Sequence, residues 1–100
     1  MYDSMKSFVI TKLIWDDWNV AHIARHDVTP DEVEEVCQGI FHASVTHDER
    51  LRTIGITAKR RILTIILARK EAHIYYPITA RPASRKERQI YTEWKGGVAA

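Results

Sequence analysis

Apolar and polar positions alternate along this chain with two different periods, and the changes of period mark out its elements. Residues 8–15 are rich in β-branched and aromatic side chains and are apolar on both faces apart from Thr11 and Lys12. That pattern predicts a strand in or near the middle of a sheet. Asp16 is placed to cap a short helix in which Val20, Ile23 and Ala24 make a narrow apolar stripe, closed by His26-Asp27. Thr29-Pro30-Asp31-Glu32 is a stronger start signal, with a hydroxyl at the N-cap, proline at the first helical position and a glutamate able to bond back to the cap. Val28 and Val33 flank it as a hydrophobic staple, Val33, Val36, Cys37 and Ile40 recur at helical spacing, and Gly39 ends the helix. Cys37 on that stripe reads as a small buried hydrophobe, since no activating base stands near it in sequence.

From residue 40 the period falls to two. Phe41, Ala43 and Val45 alternate with His42, Ser44 and Thr46, which predicts a half-buried strand, and residues 47–50 make a turn. Residues 51–57 form a second strand in which Gly55 marks a bulge or a close backbone approach. After a turn at 58–61, residues 62–67 are almost unbroken apolar and predict the central strand. In residues 73–80, Ile74, Tyr76, Ile78 and Ala80 share a face, while Pro77 moves the segment toward an edge or a bulge. Ser84-Arg85-Lys86-Glu87 is a second capping box, opening a helix with Ile90, Tyr91 and Trp94 on one side and Gly96-Gly97 as its stop. The expected order is β-α-α-β-β-β-β-α, an α+β domain over residues 1–100 with an antiparallel sheet of about five strands.

Composition narrows the function classes. With 45% hydrophobic and 28% charged residues, the chain falls among folded globular proteins rather than disordered ones. Its longest apolar run, residues 62–68, is seven residues and includes Thr64, too short to cross a membrane. Met1-Tyr2-Asp3-Ser4-Met5-Lys6 lacks a basic then apolar leader pattern, so the cytoplasm is the expected compartment. A single cysteine leaves no disulfide framework and no thiolate metal cluster. The net charge of +2 hides an asymmetry: residues 1–50 carry four basic against ten acidic side chains, and residues 51–100 carry eleven against three. Such a split points either to a cationic face for a polyanion such as RNA or DNA, or to a solvated surface of compensating signs.

Trp15-Asp16 opening a short helix, Arg25-His26-Asp27-Val28 closing it, the acidic second helix, Thr53-Ile54-Gly55, and the stretch from Ile78-Thr79-Ala80-Arg81 through Glu87-Arg88 to Tyr91 together resemble the BrnT family of toxins. The resemblance spans residues 13–95. The chain departs from the usual Lys-His-Gly of that family, with Arg25-His26-Asp27 in its place. Membership implies a RelE-like ribonuclease fold, RNA as substrate, a cognate antitoxin protein as partner and a role in a bacterial type II toxin–antitoxin pair. The alternative is a catalytically inert RelE-like module that binds a protein or nucleic acid, for instance in transcriptional regulation.

Cleaving RNA without a metal requires the 2′-OH to lose a proton, the charge on the phosphoryl oxygens to be stabilised, and the 5′-oxygen to gain a proton. Arginine suits the middle task, because its planar fork holds two phosphate oxygens. Arg81 at a strand end and Arg88 in the following helix are the main catalytic candidates. A salt bridge to an acid of the second helix is the competing role for Arg81, and a solvated helix position for Arg88. Tyr91, three residues on, would stack a base or donate a proton, or else pack in the core beside Ile90 and Trp94. His26 is the candidate general base, since imidazole ordinarily titrates near neutrality, with a hydrogen bond to the chain end as its plainer role. His22 and His26 have zinc-compatible spacing, but no Glu follows His22 and no cysteine is near, so neither a metal nor a cofactor is expected. Arg52, Lys59, Arg60 and Arg61 are candidates for guiding RNA phosphate, with ordinary solubility as the other role.

Overall fold

Local signals are strongest in the four-strand meander, and the sheet is organised around it. The computed structural model describes residues 8–99, so the reading of Met1 to Lys6 lies outside the described residues. The elements are β1 (Lys12–Leu13), α1 (Asp17–Ala24), α2 (Pro30–Gln38), β2 (Phe41–Val45), β3 (Leu51–Ile56), β4 (Ile62–Glu71), β5 (Ile74–Pro82) and α3 (Arg85–Ala99). They form one five-stranded sheet in the order β1-β5-β4-β3-β2, with β4 central. Among the described residues, no helix is long and apolar enough to cross a membrane.

The sheet is mixed rather than wholly antiparallel, because β1 pairs parallel with β5 while the other pairs are antiparallel. β1 is also a two-residue edge strand and not a central one. The chain must leave the sheet at Asp16, whose carboxylate accepts from Asn19 N and whose N–H is met by the Asn19 side chain, and this cap turns it into α1. Asn19 is fully buried, and its Nδ2 also donates to Ile14 O and Pro77 O, stitching α1 to both chain segments just past the end of the β1–β5 pairing. The inward side of α1 is therefore Asn19 and Ile23, not the expected stripe with Val20 and Ala24, which are exposed.

One face of the sheet is closed by α1 and α2. Ile23, Val33, Val36 and Cys37 pack there on Leu51, Leu63, Ile65, Leu67, Tyr75 and Ala80. Burial pushes the Cys37 thiol up to about 12, which keeps it an inert core group. Gly55 meets α2 at this face in an unbroken register: a Cβ there would stand 2.7 Å from Val36 Cγ1 and 3.3 Å from Phe41 Cβ. The opposite face is covered only in part, where α3 lays Ile90, Tyr91 and Trp94 over Ile54, Ile56 and Ile62.

β4 and β5 slip register between Ile66 and Leu67: Ile66 faces Thr79, but Leu67 faces Pro77, so Ile78 bulges. The slip turns Tyr75, Pro77 and Ala80 to the core and leaves Ile74, Tyr76 and Ile78 half-buried, so Ile74, Tyr76, Ile78 and Ala80 do not share a face. Ile40, past the end of α2, is 59% exposed, and Val45 at the end of an edge strand is 63% exposed. The first two of the meander's three hairpin turns share one hydrogen-bonded form. Thr46 and Thr57 each donate N–H to the arginine four residues on and accept from that arginine's N–H at Oγ1, with Glu49 and Arg60 in the left-handed region. α3 runs on through Gly96 and Gly97 rather than stopping there.

Candidate nucleic-acid interface

The part of the sheet that α3 leaves open is built by the pleat. Alternation along β3 puts Arg52 on the same face as Ile54 and Ile56, and the pairings Ser44–Arg52, Arg52–Ile66 and Ile66–Thr79 make one cross-strand row. The next row toward α3 is His42, Ile54, Thr64 and Arg81. α1 lies along the free edge of β5 and brings His22 to the end of the first row, where its Nε2 is 3.1 Å from Thr79 Oγ1. Trp18 stacks on His22 with ring centroids 4.8 Å apart and planes 8° from parallel, and His26 meets His22 edge-on at 5.7 Å. Trp18 and His22 lie at i and i+4 on one stripe of α1, and His26 follows in the turn after its C-cap.

Arg52 is half-buried, has no carboxylate partner among the described residues, and its Nε is buried without a hydrogen bond inside the chain. His42 stands beside it with a buried, unpartnered Nδ1 and Trp94 edge-on at 5.5 Å. Burial, and then the Arg52 charge, hold the His42 imidazolium below its ordinary pKa, so a neutral ring is favoured there. At the far end of the strip, Tyr76 donates to both oxygens of Asp16 at 3.0 Å.

Arg81 occupies this face too, but its fork is engaged. Nη1 and Nη2 donate to the two oxygens of Glu87 at 2.7 and 2.9 Å, so the partner acid lies in α3 and not in the second helix. Glu87 also accepts from Thr64 Oγ1 and from Ser84 N, both at 2.9 Å, as the reciprocal half of the capping box. The Arg81 guanidinium, foremost, holds the Glu87 carboxyl down to about 2, and Arg81 itself is shifted upward by the same contact.

The other sequence candidates separate. Tyr91 is 2% exposed, packed beneath α3 with its hydroxyl 3.5 Å from Ile40 O, which is the core role weighed for it. Arg88 is exposed on α3, on the stripe that carries Thr92 and Lys95, and those two line a shallow groove with Arg60, Ile56 and Ile62. Of the three, Arg81 is engaged by Glu87, Tyr91 is buried, and Arg88 alone is exposed. Arg61 is held by Glu32 at 2.7 Å and Asp27 O at 2.9 Å, which ties the β3–β4 turn to α2, while Lys59 and Arg60 are exposed in that turn. His26 is exposed and reaches the strip only through His22. Sequence reasoning weighed His22 only as a metal ligand and passed over Trp18 and His42. The Trp18, His22, His26 spacing was a usable signal for the first two, whereas His42 owes its place to strand register alone. Among the described residues, no group of three His, Cys, Asp or Glu side chains is arranged to hold a metal ion. No family model, curated protein or solved structure matches this chain.

Proposed function

We propose that this chain is a BrnT-type toxin with a RelE-like fold, a metal-independent endoribonuclease held in check by a cognate antitoxin. The observation that carries the reading is the strip itself: His22 against Thr79, two positions from Arg81 and in one row with the unpaired Arg52. In this reading a phosphodiester lies across the row with a base stacked on Trp18. His22 takes the 2′-OH proton as the oxygen attacks phosphorus, Arg52 binds the phosphoryl oxygens beside Arg81, whose fork Glu87 holds, and the P–O5′ bond breaks to leave a 2′,3′-cyclic phosphate. The departing 5′-oxygen takes its proton from His26. His26, expected as the general base, is the general acid in this reading, and His22 takes the base's place. Arg88, Lys59 and Arg60 guide the flanking strand by charge, and the antitoxin covers the same cationic face.

The test is incubation of the purified chain with end-labelled RNA, together with induction of the isolated chain while growth and RNA integrity are followed. Cleavage ending in cyclic phosphate, surviving a chelator and falling ~10²-fold in His22→Ala and Arg52→Ala with melting unchanged, is the expected result. Two observations favour the alternative, an inert binding module: Glu87 closes the Arg81 fork and Tyr91 is buried. Intact RNA and normal growth with a folded chain that still binds RNA would select that alternative.

A further inference from the structure

The two edges of the sheet are finished differently. Along β5 the first two residues pair with β1, and α1 guards the rest, with Asn19 Nδ2 on Pro77 O at 3.2 Å. The β2 edge has no such cover. The bond from Thr46 N to Arg50 O fixes the phase of the hairpin, so His42 and Ser44 turn their main-chain groups toward β3, while those of Phe41, Ala43 and Val45 point outward. None of these outward groups has a hydrogen-bond partner among the described residues. Free edges are ordinarily blunted by lysine, proline, an inward charge or a bulge. Residues 40–46 contain no charged residue and no proline, and β2 pairs with β3 in unbroken register. The exposed Ile40 and Val45 sit at its two ends.

We propose that β2 is a self-pairing edge, through which two copies of this chain join antiparallel about a two-fold axis at Ala43 into one continuous sheet. The phase and the faces both select this register. Phe41 of one copy then lies opposite Val45 of the other, and Ala43 opposite Ala43, all with outward main-chain groups, which forms about six new hydrogen bonds. Phe41, Ala43 and Val45 share a sheet face, so the exposed Val45 is covered by the aromatic ring across from it. Alanine at the axis lets the backbones approach. An uncharged strand suits a two-fold pairing, because the residue on the axis meets its own copy and a charge close to it would face a like charge across the axis. An edge of this length is smaller than a standard interface, so the dimer is weak and concentration-dependent. This inference does not rest on the ribonuclease reading.

Sedimentation equilibrium of the whole chain from micromolar to millimolar concentration is the first measurement, with a reversible monomer–dimer equilibrium expected. Ala43→Pro removes an outward N–H without costing a bond to β3, so it should keep the melting temperature near that of the parent and weaken association at least ~10-fold. Ala43→Cys should form a disulfide-linked dimer on oxidation, since paired Cα atoms about 5.5 Å apart suit that bond, whereas Ser44→Cys should not. Cys37 is buried and does not compete. A monomer at every concentration, a dimer that survives Ala43→Pro, or equal cross-linking at positions 43 and 44 would overturn the proposal.

Discussion

Glu87 carries two tasks in one carboxylate, completing the cap of α3 through Ser84 N and closing the fork of Arg81, with Thr64 as a third donor. Both tasks need the ionised form. The folded-state value of about 2 lies below the ordinary value of 4.5, so the contribution is complete above about pH 4.5 and is lost as pH falls toward 2. Glu87→Gln should therefore lower stability near neutrality by about 1–3 kcal/mol and flatten the acid limb of stability against pH, as read by urea denaturation at a series of pH values. The capping box was legible because it depends on neighbours three residues apart. The fork was not, since it depends on the register that sets Thr64 beside Arg81. Tyr91 was legible on its core side, since packing beside Ile90 and Trp94 follows from helical spacing and is where the ring lies.

Elements whose signals are local were legible in the sequence: the caps at Thr29 and Ser84, the staple of Val28 and Val33, and the apolar run of β4. Those set by distant partners were not. β1 is fixed by His73 and Tyr75, more than half the chain away, and periodicity within residues 8–15 carries no trace of that pairing. Gly96 and Gly97 were read as a stop because glycine disfavours helix by about 1 kcal/mol each, too little to end a helix already anchored by Ile90, Tyr91 and Trp94. Gly55 was open between bulge and close approach, and the 2.7 Å gap to Val36 decides for the approach. Gly55→Ala should thus destabilise by about 1–3 kcal/mol through forced movement of α2, and a compensating Val36→Ala should recover part of the loss in thermal melts.

Across the whole molecule the charge asymmetry resolves into an internal and an external part. Arg61 is neutralised by Glu32, and Glu35 accepts from Ala58 N, so the acidic α2 holds one basic turn of the meander. Arg52 and the exposed Lys59, Arg60 and Arg88 are left for outside partners. If the chain binds RNA as proposed, its affinity should fall linearly with the logarithm of salt, and Arg52→Ala should make that slope shallower by about one phosphate contact, whereas Arg61→Ala should chiefly lower stability. Filter binding across a salt series, with melting curves alongside, separates the two. The meeting of α1 with β5 also has a kinetic side. His22 and Thr79 are 57 residues apart, while the meander closes by short hairpins, so the nucleus of folding belongs to β2–β5 and the docking of β1 and α1 comes late. The strip is consequently completed by the last unit to arrive. It can dissolve by a sub-global opening that leaves the meander intact, and amide exchange should report this as faster loss of protection at Thr11 and Ile14 than at the β3–β4 amides.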